Sequence, residues 1–433
     1  MIFSVTIGIL TCAMLILLVF IKPAVKVGHE QISIYWLPPL FGALALTFGG
    51  ALSFKEVFIG LTASGEMNPI KILILFFSMT LISVFLDCAG FFRYLAEKIL
   101  GRAGSSQRVL FFTLYITVSI LTIFTSNDII VLTFTPFICY FTRQAKIDPL
   151  PYLFCEFIAA NTWSMLLIIG NPTNIYLATG AEVSFFTYLK AMALPTLFAG
   201  LGSLLILWLL FKKKLSAPLS HQEPSILKLD RPLVGIGLLH LLLCISFLVL
   251  SSYIDLPMWI IAFIAFLSLF ISALIYLLCR NRRPVILIEA IKRAPFEMAP
   301  FILSMFTLVL ALEKYGVTRR IADTLSALPA PWSFGIGSFL SANLMNNIPM
   351  SVLFSGICQN LDSAIKPAAL FASVIGSNLG AFCTPLGALA GIMWMQLLSA
   401  QGIKLSFARF SRYGALIAAP TLIFAILGLI LSI

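Results

Sequence analysis

An aspartate and an asparagine lie side by side in an otherwise apolar stretch, which reads "FTSNDIIV" over residues 124–131. A carboxylate that stays ionised in such surroundings is costly, by about 3 kcal/mol on membrane-insertion scales. Asp128 is therefore expected to take up a proton or to pair with a cation. Glu156 lies in another apolar segment, although its place in the sequence also fits the edge of a membrane. We predict that both carboxylates exchange protons or cations.

Neutral polar residues occur together with glycine or proline in segments 126–128, 170–174, 346–349 and 376–387. An interrupted helix at membrane depth is tolerated only where protein or a wet cavity surrounds its free backbone groups. Each interruption alone could be a kink stabilised by its own side chain, but paired interruptions indicate a shared substrate site. The predicted substrate-binding residues are Ser126, Asn127, Asn161, Thr162, Asn171, Thr173, Asn174, Asn346, Asn347, Ser377, Asn378 and Thr384.

The composition predicts an all-α polytopic membrane protein. Hydrophobic residues make up 60% of the 433 residues and charged residues only 10%, against about a quarter in soluble domains. The first apolar run is expected to be a membrane helix rather than a signal peptide, because no basic residue precedes it. Apolar runs that are candidates to cross a bilayer as helices cover residues 2–21, 34–49, 72–86, 152–169, 192–211, 233–250, 258–278, 300–312, 368–382 and 415–433.

The net charge of +11 does not indicate nucleic-acid binding, because the basic residues are spread over short loops between apolar runs. Eight cysteines are scattered without paired spacing, and the three histidines are far apart in the sequence. These patterns predict no disulfide framework, no metal site and no cofactor.

The two halves of the chain share an ordered set of polar residues. The segments "SMTLISVFLDCAG" and "SMFTLVLALEKYG" place an acid and a glycine at the same offsets. Asn161 precedes Gly170 by nine residues, as Asn378 precedes Gly387. We predict a first repeat over residues 1–211, a linker over 212–231 and a second repeat over 232–433, with scaffold helices at 1–65 and 232–295, hairpins at 108–142 and 332–361, and broken helices at 150–180 and 367–398.

The placement of charges predicts that the repeats are inverted. If the linker is cytoplasmic and the hairpin at 108–142 enters from that side, most of the 28 lysines and arginines are cytoplasmic, as the positive-inside rule requires. The hairpin at 332–361 then enters from the outside. Many secondary transporters have this architecture.

The sequence resembles the arsenite/antimonite efflux permeases of the ion-transporter superfamily over nearly its whole length. The resemblance rests on "SNDIIVLTFTPF", "AANTWSMLLIIGNPTNIYLA", "LMNNIPMSVL" and "VIGSNLGAFCTPLGALAGIMWMQLL". It implies an inner-membrane protein with two re-entrant hairpins that exchanges a neutral trihydroxide for protons. The implied partners are the small substrate, protons, the lipid bilayer, a second copy of the chain and a soluble ATPase.

Other functions remain open at this stage. Superfamily symporters of carboxylates carry Ser-Asn-Thr at both hairpin tips, whereas these tips read Ser-Asn-Asp and Met-Asn-Asn. Sodium coupling, small anions as substrates and sodium/proton antiport are the alternatives within transport, and a channel is another. An enzyme is not predicted, because there is no HExxH motif and Asp87 and Asp128 lack the flanking motifs of membrane aspartyl proteases. Asp87 and Glu313 are expected to be solvated or ion-paired structural residues.

Overall fold

The computed structural model describes residues 1–21, 24–27, 30–62, 68–103, 106–181, 183–217, 229–254 and 256–433. These residues form 20 α-helices, which confirms the predicted all-α class. One short antiparallel ribbon, β1 (Ala24–Val27) with β2 (Glu30–Ser33), lies in the first predicted scaffold region and was not expected from the sequence. Residues 218–228 of the predicted linker lie outside the described residues.

Ten helices lie in each half of the chain among the described residues. The first half contains α1 (Ile2–Ile21), α2 (Leu37–Phe48), α3 (Phe54–Thr62), α4 (Pro69–Cys88), α5 (Phe91–Ala103), α6 (Gln107–Phe124), α7 (Asn127–Gln144), α8 (Leu150–Trp163), α9 (Pro172–Gly180) and α10 (Phe185–Phe211). The second half contains α11 (Arg231–Ile254), α12 (Met258–Cys279), α13 (Val285–Lys292), α14 (Met298–Lys314), α15 (Val317–Ser326), α16 (Ala330–Met345), α17 (Asn347–Gln359), α18 (Lys366–Gly380), α19 (Leu389–Ala400) and α20 (Phe407–Ser432).

Six of the described helices, α4, α6, α10, α11, α12 and α20, are long and apolar enough to cross a membrane. The bent pair α14 and α15, at 77° to each other, makes a seventh crossing if the pair is one span. Leucine side chains on the outer face of α11 are exposed; Leu239 is 55% and Leu243 46% exposed. Such a surface is stable in lipid, and the chain is a multi-pass membrane protein.

The packing of the helices repeats between the halves. Helices α6, α8 and α10 pack against one another as α16, α18 and α20 do. The early helices of each half contact the other half, since α2 packs on α14 and α12 packs on α4. The second helix of each hairpin also packs on the other half. Helix α7 packs on α19, and α17 packs on α9. Each half therefore buries its apolar faces against the other half.

Two interruptions divide the predicted broken helices, and we call residues 164–171 the first break and residues 381–388 the second break. A Cβ atom on Gly170 would lie 2.3 Å from the carbonyl oxygen of Ser164, and one on Gly387 would lie 2.1 Å from that of Gly380. Both breaks thus fold back onto the end of the preceding helix. Only glycine permits this close backbone approach.

Three boundary predictions are wrong. The first interruption does not cover 170–174, because α9 begins at Pro172 and contains Thr173 and Asn174. The apolar run at 152–169 is not one helix, because α8 ends at Trp163. Residues 376–378 are not part of the second break but lie inside α18. Gly376 instead lets α18 approach α16, since a Cβ atom there would lie 2.4 Å from the carbonyl oxygen of Gly335.

Ion pairs join the scaffold to the ends of α4 and α14. The guanidinium of Arg293 pairs with Asp87, which confirms the predicted ion-paired role of this aspartate. At the end of α14, the Lys314 ammonium lies 2.7 Å from a carboxylate oxygen of Glu56. Glu313 is exposed, as expected for a solvated carboxylate.

The contact between α16 and α18 makes a stability prediction. The substitution Gly376→Ala is expected to destabilise the protein by about 1–3 kcal/mol, because its methyl group overpacks the helix interface. Thermal unfolding in detergent measures this effect. Gly235→Ala on α11 is the control, since no described atom lies within 4 Å of its added Cβ atom. Equal unfolding temperatures for the two variants would contradict the proposed close contact.

Candidate functional site

The side chain of Asn378 connects the two halves at the centre of the protein. This residue is fully buried on α18. Its Oδ1 atom lies 2.9 Å from Asn171 Nδ2 and 3.0 Å from Ser164 Oγ, both in the first break. Its Nδ2 atom donates to Asn174 Oδ1 at 2.7 Å. One amide from the second half therefore organises the break in the first half.

The first break satisfies its own backbone with asparagine side chains. Asn174 Nδ2 donates to the carbonyl oxygens of Ser164 at 2.8 Å and Leu167 at 3.1 Å. Asn171 Oδ1 accepts from the backbone N–H of Thr173 at 3.2 Å and caps α9. Buried carbonyl and N–H groups at helix ends need such partners. The asparagines therefore hold the break in one conformation.

The tip of the first hairpin, between α6 and α7, is buried against α8. Asn127 is 1% exposed, and its Nδ2 atom donates to Asn161 Oδ1 at 3.0 Å. Asn161 in turn donates to the carbonyl oxygen of Phe157 at 2.8 Å. The Ser164 hydroxyl also lies 2.9 Å from the carbonyl oxygen of Asn161, so the tip connects to the first break.

The tip of the second hairpin, between α16 and α17, is bonded to the second break. Asn346 has φ of 76° and ψ of 153°, a conformation that costs about 1–3 kcal/mol for a residue other than glycine. Its Nδ2 atom donates to the carbonyl oxygen of Leu386 at 3.1 Å. The backbone N–H of Asn347 donates to Gly387 at 3.0 Å, and Thr384 Oγ1 donates to Asn343 Oδ1 at 2.7 Å. These contacts offset the strained backbone.

Five of the predicted substrate-binding residues keep a buried polar atom without a partner among the described residues. Such an atom costs about 1–3 kcal/mol, so it marks a place where a bound solute can supply the missing bond. The atoms are Asn127 Oδ1, Thr162 Oγ1, Thr173 Oγ1, Asn347 Oδ1 and Ser377 Oγ.

The two predicted coupling carboxylates have different surroundings. Glu156 is fully buried, where Thr135 Oγ1 lies 3.2 Å and Trp394 Nε1 3.3 Å from its carboxylate oxygens. Asp128 is partly buried in the first turn of α7 and forms no hydrogen bond or ion pair with a described residue. Sequence analysis missed Thr135 and Trp394, because they lie on helices that only the tertiary fold brings to Glu156.

No lysine or arginine occurs at residues 125–128, 164–174, 346–349 or 381–388. The breaks and tips are therefore lined by amides, hydroxyls and backbone dipoles, with Asp128 as their one acid. Such a set forms hydrogen bonds with a neutral polar solute and gives no cationic partner to a multiply charged anion.

The fold and this central site define a polytopic membrane transporter. The fold is similar to that of the YdaH transporter of Alcanivorax borkumensis, with a TM-score of 0.59, 15% identity and coverage of 99% of this chain and 97% of that chain.

Residues 6–376 match the citrate transporter family, CitMHS, and the chain belongs to this family. Two arsenical pump membrane proteins of Escherichia coli are 29% and 26% identical to it over 377 and 376 residues, which is 83% of this chain and 85% of each relative. The resemblance to arsenite/antimonite permeases is thereby confirmed.

The central amide contacts make a second stability prediction. Asn378→Ala is expected to lower the free energy of unfolding by about 2 kcal/mol or more, because it leaves the buried Asn171 Nδ2 and Asn174 Oδ1 atoms without partners. Asn360→Ala is the matched control, since Asn360 also donates to a helix carbonyl, Gly356 at 2.9 Å, but at an exposed helix end. Thermal unfolding in detergent compares the variants, and equal losses would contradict a central role for Asn378.

Proposed function

We propose that this transporter exports arsenite or antimonite in exchange for protons. The observation that carries the proposal is the set of five neutral, buried polar atoms at the hairpin tips and on the helices beside the breaks that lack a partner among the described residues. The trihydroxides of trivalent arsenic and antimony are neutral and offer only hydroxyl groups. The names of the relatives support the same class of substrate.

A carboxylate such as citrate is the second candidate, because the family carries that name. Helix N-termini at the breaks could hold an anion. A citrate trianion, however, is usually recognised by arginine or lysine, and none occurs in the breaks or tips. The neutral trihydroxide is therefore the better match.

We also propose that the two halves are inverted repeats with re-entrant hairpins. The repeated helix packing and the burial of both tips support this arrangement. The broken helices and hairpins then form a core that moves against a scaffold made of α1 with α2 and α11 with α12. The resemblance also implies two partners, a second copy of the chain and a soluble ATPase, and both remain predictions.

Transport in everted membrane vesicles tests the proposal. Antimonite uptake is expected when the vesicle interior is acidified and to be saturable, without any need for sodium. Uptake of citrate in place of antimonite, or dependence on a sodium gradient, would favour the alternatives. Flux that does not saturate would indicate a channel.

The coupling role of Asp128 makes a specific prediction. Asp128→Asn keeps the size and polarity of the side chain but cannot exchange a proton, so antimonite uptake driven by a pH gradient is expected to fall at least about tenfold. Asp362→Asn, an exposed carboxylate after α17, is the matched control and is expected to retain uptake. Full proton-driven uptake by the Asp128 variant would rule out this assignment.

A further inference from the structure

A small cleft lies between α4, the tip of the first hairpin and the start of α9. It is a narrow cleft that is open at one end. Four hydroxyl side chains line it, Thr80 and Ser83 from α4 and Thr125 and Ser126 from the hairpin tip. Apolar side chains form the remaining wall, and no charged residue lines the cleft.

The four hydroxyls divide into two kinds. Thr80 is 6% and Ser126 9% exposed, and neither side chain forms a hydrogen bond with a described residue. The other two hydroxyls donate to carbonyls of their own helices, Ser83 to Met79 at 3.1 Å and Thr125 to Leu121 at 2.7 Å. Their oxygens can still accept a hydrogen bond. The cleft thus presents two free hydroxyls and two further acceptors.

The same positions in the second half carry no hydroxyl. The offset that aligns Asp87 with Glu313 places Phe306 and Val309 at the positions of Thr80 and Ser83. The offset that aligns Asn127 with Asn346 places Leu344 and Met345 at those of Thr125 and Ser126. The hydroxyls of this cleft therefore have no counterparts at the aligned positions of α14 and of the second hairpin tip.

We propose that this cleft is a binding subsite for a small neutral trihydroxide, and that Thr80 and Ser83 of α4 determine its specificity. The hydroxyls of the solute donate to the oxygens of Ser83 and Thr125 and accept from Thr80 and Ser126. This assignment rests on the proposed function. It adds α4 to the proposed substrate site, since none of the substrate-binding residues predicted from the sequence lies on α4.

Substitutions on α4, with control substitutions of the same kind on α14, test the subsite. Thr80→Val and Ser83→Ala each remove one hydroxyl with little change of shape. Each is expected to raise the KM for antimonite about tenfold, the effect of one lost hydrogen bond. Thr307→Val and Ser304→Ala are matched controls, because both residues are 4% exposed on α14. Their KM is expected to stay within about twofold of the unmodified protein.

Binding is measured separately from transport, by the rise in unfolding temperature that antimonite causes in detergent. The α4 variants are expected to unfold normally without antimonite and to lose this rise, whereas the α14 variants keep it. If the unmodified protein does not transport antimonite, the proposed function fails, but the unfolding measurement still decides the subsite. Equal effects of the α4 and α14 substitutions, or no effect on either helix, would overturn the subsite.

Discussion

The structure depends on one requirement, that a broken helix inside a membrane must find partners for its free N–H and C=O groups within the protein. Asparagine amides meet this requirement, because each can donate and accept at once. Asn378 is the clearest case, since it reaches from α18 to Asn171 and Asn174 in the other half. Without that contact the first break would lose its hydrogen bonds to α18 of the other half, and Asn171 and Asn174 would each have one buried amide atom without a partner.

The same requirement limits what the site can bind. Most amide groups at the centre are committed to the protein, and the free atoms are neutral oxygens such as Asn127 Oδ1 and Asn347 Oδ1. A neutral solute with hydroxyl groups gives these oxygens the donors that they lack, at no cost of burying net charge. In the proposed exchange a carboxylate carries the proton, because the amides and hydroxyls at the centre do not ionise near neutral pH. Asp128, beside Asn127 in the first turn of α7, is well placed for that role.

Much of the fold and of the predicted site follows from the sequence. Glycine and asparagine spacing located the break at Gly170, where the close backbone approach requires glycine, and both hairpin tips. The limits of the second break were wrong, because Gly376 serves helix packing and a sequence does not distinguish that use of glycine from a break. Thr80, Thr135 and Trp394 were missed, since their neighbours come from distant helices and one hydroxyl or indole in an apolar run carries no signal alone.

The central claim is that two hairpins enter the membrane from opposite sides and end at these breaks. Single cysteines at the hairpin ends, Arg108→Cys and Lys146→Cys for the first and Leu328→Cys and Asp362→Cys for the second, can be labelled with an impermeant thiol reagent. All four positions are exposed. In a background without reactive cysteines, the first pair is predicted to react only from the cytoplasmic side and the second pair only from the outside. Reaction of all four from one side would contradict the account.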